Sequence, residues 1–199
     1  QLEWEEDIEA WGRRMGIIVK RFNNSQLHHP AKLTKSSGEP YQTFTPFYNA
    51  CLQSGEMRPP HPAPTSLKAM DEEVSSIPID ALGLRTQSPF EEEFNQYWMV
   101  SEQAAEANLR AFINRRLPNF SRWRDQLSKH GTSRLSPYLS WGQLSAAQVI
   151  WAGAQNDVAS REPFVRQLYW REFAYYLLYL FPTTVSQPLD SKFAPFPWP

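Results

Sequence analysis

Residues 131–145 read GTSRLSPYLSWGQLS, and the grouping of Gly131, Thr132, Ser133, Arg134 and Ser136 ahead of Pro137 decides how the second half of the chain folds. The stretch is too polar for a core strand. Ser136 followed by Pro137 reads as a helix start, with the hydroxyl at the N-cap and proline at the first helical position, where its missing N–H costs nothing. The residues from Gly131 to Leu135 then form a loop running into a helix N-terminus. Orphan N–H groups and the positive end of the helix dipole converge there, the Thr132 and Ser133 hydroxyls add donors, and Arg134 adds a full charge. An anion is the natural partner. For an isolated Ser-Pro pair, a capped helix with an exposed arginine would explain as much.

The neighbourhood favours phosphate. Between Arg110 and Arg134 lie seven basic residues, Arg110, Arg115, Arg116, Arg122, Arg124, Lys129 and Arg134, against one acid, Asp125. The chain as a whole carries a formal charge of -1, so this excess is local. A solvated basic helix face accounts equally well for Arg115 and Arg116, and less well for Arg124 beside Trp123.

Helices extend outward from the loop on both sides. Upstream, Ala105, Leu109, Phe112, Ile113 and Leu117 repeat as one helix face, ended by Pro118. Downstream, Ser145 with Gln148 forms a capping box for a helix through Val149 and Ile150. Pro163 then opens a helix of about 19 residues that stops at Pro182. On that helix Gln167, Trp170, Arg171 and Ala174 fall at i, i+3, i+4 and i+7 and share a face, while Val165, Leu168, Tyr169, Phe173, Tyr176, Leu177 and Leu180 occupy the rest. An amide, an indole, a guanidinium and a small residue in one stripe would line a pocket for a flat ring. Core packing explains Trp170 alone, but it leaves Gln167 and Arg171 without a reason to be there.

With 41% apolar and 14% aromatic residues the chain is globular. Its single cysteine, Cys51, cannot form an internal disulfide, and His28, His29, His61 and His130 stand at no metal-ligand spacing with it. A metal-free cytoplasmic protein is expected, with a nuclear or organellar location left open. The apolar run from Phe164 to Phe181 contains Arg166, Arg171 and Glu172, so it reads as a buried helix, with no membrane partner. At the other end of the chain, Trp4, Ile8, Trp11 and Met15 mark an amphipathic helix stopped by Gly16. Ile17, Ile18 and Val19 follow as a short strand expected to be buried in a parallel sheet. Pro59, Pro60, Pro62, Pro64, Pro78 and Pro89 mark a long connection. The expected architecture is α/β plus all-α: part of a Rossmann-like parallel α/β domain over 1–54, a proline-rich inter-domain linker over 55–97, and a helical domain over 98–199. The abrupt ends, Gln1 and Phe196 to Pro199, read as those of a fragment.

GTSRLSPYLSWGQLS followed by FVRQLYWREFAYYLLYLFP resembles the FAD-binding domain of the DNA photolyase and cryptochrome family. GEPYQTFTPFYNACL resembles the end of that family's antenna domain, and WMVSEQAAEANLRAFINRRLPNFSRWRDQL its entry into the flavin domain. The resemblance implies that Thr132, Ser133, Arg134, Leu135 and Ser136 hold the FAD pyrophosphate, with Phe120, Phe164 and Arg171 also at the cofactor. It implies that Arg124, Gln167, Trp170, Arg171 and Ala174 line the cavity for UV-damaged DNA, where an aromatic ring stacks on the damaged bases. Glu39 and Tyr41 lie near the family's antenna site, whose second chromophore, a folate or a deazaflavin, is left open. The catalytic residues are expected beyond Pro199, and the truncated chain alone is expected to be inactive, the parent being a monomer.

Two positions depart from the family pattern. Phe120 stands where a tyrosine is common, and Gln167 where cyclobutane-dimer photolyases usually carry glutamate. Three readings of function follow. The first is a deoxyribodipyrimidine photolyase repairing pyrimidine dimers by light-driven electron transfer from reduced FAD. The second is a cryptochrome photoreceptor or a (6-4) photolyase. The third, of another class, is a non-catalytic helical module binding DNA or protein.

Overall fold

Helices dominate the sequence's local preferences, and helices are what form. The computed structural model of the chain describes residues 2–20, 26–55, 59–68, 75–84, 89–155 and 159–196. In chain order the helices are α1 (Leu2–Met15), α2 (Phe44–Ser54), α3 (Glu91–Tyr97), α4 (Glu102–Ala111), α5 (Phe120–Trp123), α6 (Ser136–Ser140), α7 (Ala146–Ala154) and α8 (Arg161–Leu180). Of the chain's C-terminal Pro-Trp-Pro, residues 197–199 lie outside this description.

The caps are written locally. Ser101 Oγ accepts from the Ala104 N–H at 3.1 Å to start α4. At α7 the capping box closes as its sequence predicts, with Ser145 Oγ accepting from Gln148 N–H at 3.1 Å and Gln148 Oε1 accepting from Ser145 N–H at 2.7 Å. The helix read from Pro163 starts two residues earlier, at Arg161, and proline is tolerated in that first turn.

Two local expectations need correction. Ile17–Val19 form no strand, and no strand occurs among the described residues, so the Rossmann-like sheet is not seen there. Gly16 turns the chain back with φ 68°, and the Ile17 N–H donates to Gly12 O at 2.9 Å. Val19 then lies against Gly12, which has no room for a Cβ. A strand needs a neighbouring strand to bond to, and here Ile17 and Ile18 stay exposed. Upstream of Pro118, the expected single helix changes form. After α4 the backbone widens into a π-helical turn, Phe112–Arg116, and then tightens to a 3-10 turn, Leu117–Asn119, that includes Pro118.

One continuous core joins α2 and α4 to α7 with α8, while α1 and α3 place no residue in it. Phe47 of α2 meets Phe173 and Tyr176 of α8 at ring-centroid separations of 5.0 and 4.9 Å. From the other side, Phe112 and Phe120 close on Phe164 at 4.6 and 5.4 Å. These tilted and edge-on rings are favoured geometries for aromatic pairs. The Tyr176 hydroxyl, fully buried, donates to Leu33 O at 2.7 Å and accepts from Tyr41 N–H at 2.9 Å, tying the 33–41 segment to α8. The 59–68 stretch is exposed or half-exposed throughout.

Candidate functional site

The loop before α6 is held from behind. Asn108, on α4, donates from Nδ2 to the carbonyls of Ser133 at 3.3 Å and Arg134 at 3.1 Å. Arg116, at the end of the π turn, donates to Asn108 Oδ1 at 2.8 Å and so fixes which way the amide points. Arg134 takes up φ 54°, the left-handed region that side chains other than glycine, asparagine and aspartate seldom adopt. Its guanidinium lies over the Trp98 ring at 4.7 Å. At the loop's start, a Cβ on Gly131 would fall 2.5 Å from the backbone carbonyl of Trp123, so only glycine allows that approach.

Ser136 is not the cap it was expected to be. It lies inside α6, Leu135 holds the N-cap position with helical angles, and no side chain caps the helix. With four helical residues after Ser136, α6 adds little dipole. The groups left to meet an anion are the exposed Thr132, Arg134 and Ser136 and half-buried Ser133, with no acid in the sequence between Asp125 and Asp157. Leu135 is buried and anchors the loop to the core. Arg116 is no solvated arginine either. Burial, and then the Arg134 charge, hold its guanidinium below the usual value.

The second surface is on α8. Gln167, Trp170 and Ala174 are exposed and Arg171 is half-buried, so the predicted stripe faces outward. Arg171 lies over Tyr175 at 4.8 Å. Trp170 keeps 47% of its surface open while its indole lies flat on Phe44 of α2, centroids 3.7 Å apart and planes 7° from parallel. Arg124 pairs with Asp125 at 3.4 Å and covers Phe120 at 5.7 Å. Phe120 and Phe164 face each other in the core, and neither reaches the surface of the described chain. Glu39 is exposed and pairs with Lys35 at 3.4 Å.

Behind the stripe sits a buried carboxylate. Glu172 Oε1 accepts the Leu27 and His28 N–H groups at 2.7 and 2.9 Å. Burial pushes its carboxyl up to about 7, with the two backbone donors and Arg171 pulling the other way. The neighbouring Cys51 thiol is pushed up to about 12, by burial first and by Glu172 second. Asn108, Trp98, Phe44 and Glu172 are the site-building residues that sequence reading passes over. Only the glutamate, a charge inside an apolar helical run, carries a local signal.

Comparison with known proteins gives the chain its relatives. The DNA photolyase family model matches residues 1–67. A deoxyribodipyrimidine photo-lyase from Agrobacterium fabrum is 33% identical over 192 residues, covering 92% of this chain and 39% of the relative. The crystal structure of a bacterial class III photolyase from Agrobacterium tumefaciens superposes with a TM-score of 0.88 at 31% identity, over 99% of this chain and 42% of that one. The chain belongs to the DNA photolyase and cryptochrome family. Cryptochrome-2 of Arabidopsis thaliana is 28% identical over 199 residues, covering 92% of this chain and 32% of its own length. This photolyase-family chain thus spans about two fifths of the length of the photolyases it matches and about a third of the cryptochrome. No helix among its described residues is long and apolar enough to cross a membrane, and no group of three or more metal-ligating side chains is found there.

Proposed function

We propose that the chain supplies the phosphate-binding loop and the lesion-facing aromatic surface of a deoxyribodipyrimidine photolyase. The observation that carries the reading is Trp170, an indole stacked on one face and open to solvent beside Gln167 and Arg171. A flat, half-exposed ring flanked by an amide and a guanidinium suits a flipped-out pyrimidine pair, with stacking worth about 1 to 3 kcal/mol per base. Gln167 would accept or donate a hydrogen bond at a base edge, and Arg171 and Arg124 would neutralise strand phosphates.

FAD is the cofactor this family implies, and the donor set fits its pyrophosphate. Gly131 permits the close turn, Thr132, Ser133 and Ser136 offer hydroxyls, Arg134 offers charge, and Asn108 holds the backbone in place. Bound FAD would supply the light-driven electron transfer that splits the dimer. The chain's own contribution is to bind, orient and exclude water. Phe120, Phe164 and Leu135 form the packed support under the loop and the start of α8, rather than an open cofactor wall of their own. A second chromophore, folate or deazaflavin, would sit toward Glu39 and Tyr41.

A flavin photoreceptor is the second reading, and Gln167 favours it, because an uncharged amide replaces the carboxylate that is usual in cyclobutane-dimer repair. The deciding experiment illuminates UV-irradiated oligothymidylate with the chain, FAD and a reductant. Light-dependent loss of dimers, reduced by Trp170→Ala, supports repair. Flavin binding with no preference for a dimer-bearing strand over the undamaged one points to the receptor.

A further inference from the structure

Trp170 does not hold its own orientation. It belongs to α8, where the indole meets that helix's buried face only edge-on, at Phe173, 6.1 Å between centroids. What fixes its plane comes from 126 residues upstream. Phe44, the first residue of α2 and only 5% exposed, lies under the indole at 3.7 Å and 7°.

Phe44 is itself locked from three sides. Tyr48 stacks on it at 5.6 Å, Phe173 meets it edge-on at 5.9 Å, and the Arg166 guanidinium covers it at 5.0 Å. Arg166 also covers Tyr48 at 5.1 Å and is steered by Glu162 at 3.9 Å. One face of the indole therefore rests on a buried ring packed by three neighbours, and 47% of the residue's surface stays open. A side chain with two free torsions gains a single defined plane from such a backing, so an arriving flat ring does not have to select it from several.

We infer that Phe44 is a positioning residue for Trp170: the N-terminal block of the chain sets the plane on which a damaged base pair stacks. This rests on the reading of Trp170 as the stacking residue given above, and adds α2 to the DNA site. It also gives Arg166 a role, since removing its guanidinium loosens the ring below the indole.

The test uses the whole chain and two readouts. The first is the indole N–H resonance of Trp170 in a proton–nitrogen NMR spectrum, identified by its disappearance in Trp170→Phe. Phe44→Leu should move this resonance, because a stacked ring's current is lost, while Phe44→Tyr should leave it near its place. The second is the affinity for a short oligonucleotide carrying one cyclobutane thymine dimer, compared with the undamaged strand. Phe44→Leu should lower affinity for the damaged strand about tenfold, a typical size for a lost stacking geometry. Binding of the undamaged strand should be unchanged, and Phe44→Tyr should restore the preference. Circular dichroism shows whether each variant is folded. If Phe44→Leu does not fold, Arg166→Gln, which leaves the aromatic core intact, takes its place with the same expected direction. A preference lost in Trp170→Ala but kept in a folded Phe44→Leu overturns the positioning role and leaves the stacking role standing. A preference unaffected by Trp170→Ala overturns the stacking role itself, and the positioning role with it.

Discussion

Arg116 reaches back eight residues to Asn108, its Nη2 donating to Oδ1 at 2.8 Å and to the backbone carbonyl at 3.4 Å. Along an ideal α-helix these residues stand about 12 Å apart. The π turn between them widens the backbone where the guanidinium must fold back, consistent with the frequent use of such turns at functional sites. The pair converts a surface asparagine into an oriented double donor for the loop carbonyls of Ser133 and Arg134.

Asn108→Asp separates that clamp from general stability. Aspartate still accepts from Arg116, but it has no N–H to offer the carbonyls and places a negative charge against them. Two hydrogen bonds of about 1 kcal/mol each are lost, so FAD affinity should fall about five- to thirtyfold. The melting temperature should change little, because the stronger pair with Arg116 offsets the loss. Fluorescence titration of FAD against wild type and variant checks this. Equal affinities would show that the loop needs no clamp.

Gly131→Ala acts at the other end of the loop. The added methyl would sit 2.5 Å from the Trp123 carbonyl, against backbone that cannot swing aside as a side chain can. Overpacking of this kind costs about 1 to 3 kcal/mol, read as a lower urea midpoint with the slope unchanged. Because Trp123 closes α5, the strain should also reach Phe120 and Phe164, and near-ultraviolet circular dichroism should change with it.

What could be read from the chain was what is encoded locally. The α7 capping box, the stop of α1 at Gly16 and the long α8 each depend on a few adjacent residues, and they form where the sequence places them, α8 to within two residues. The outward stripe of Gln167, Trp170 and Ala174 was legible for the same reason, since helical spacing alone sets it. Ile17–Val19 failed because an apolar triplet specifies a strand only when another strand is available to pair with it. Ser136 failed by one residue: a Ser-Pro pair marks a helix start, and here both members lie inside the helix. Phe44 beneath Trp170 and Asn108 beneath the loop were invisible, because contacts spanning 126 and 25 residues leave no pattern in a single sequence.

Cys51 should behave as an inert core residue. It is 3% exposed, and a thiol pushed up to about 12 holds almost no thiolate at neutral pH. A colourless aromatic disulfide reagent should release no chromophore from the folded chain at pH 8 over minutes. One equivalent should be released in denaturant. Rapid labelling without denaturant would mean that α2 opens from α8 on that timescale.

The last prediction concerns acid. Glu172 titrates at about 7 in the folded chain, above the ordinary 4.5 it regains on unfolding. Between those values the folded state holds a proton that the unfolded state has released, so this group stabilises the fold fully below about pH 4.5 and loses that contribution as pH rises through 7. Its upper bound is about 3.5 kcal/mol, from about 1.4 kcal/mol per unit. The groups that bear on the carboxyl are the Leu27 and His28 N–H donors, Arg171, and the buried Cys51 and Tyr169, of which the two donors and Arg171 already favour the charged form. Glu172→Gln keeps an oxygen for the two N–H groups and has no proton to lose. Its stability should therefore lack the decline that the wild type shows between pH 5 and 8, leaving the variant the more stable of the two at pH 8. Parallel thermal melts across that range, with the difference between the two curves read at each pH, isolate Glu172 from every other titrating group. A difference that stays flat would place the carboxyl in its charged form throughout, held there by the two backbone donors despite its burial.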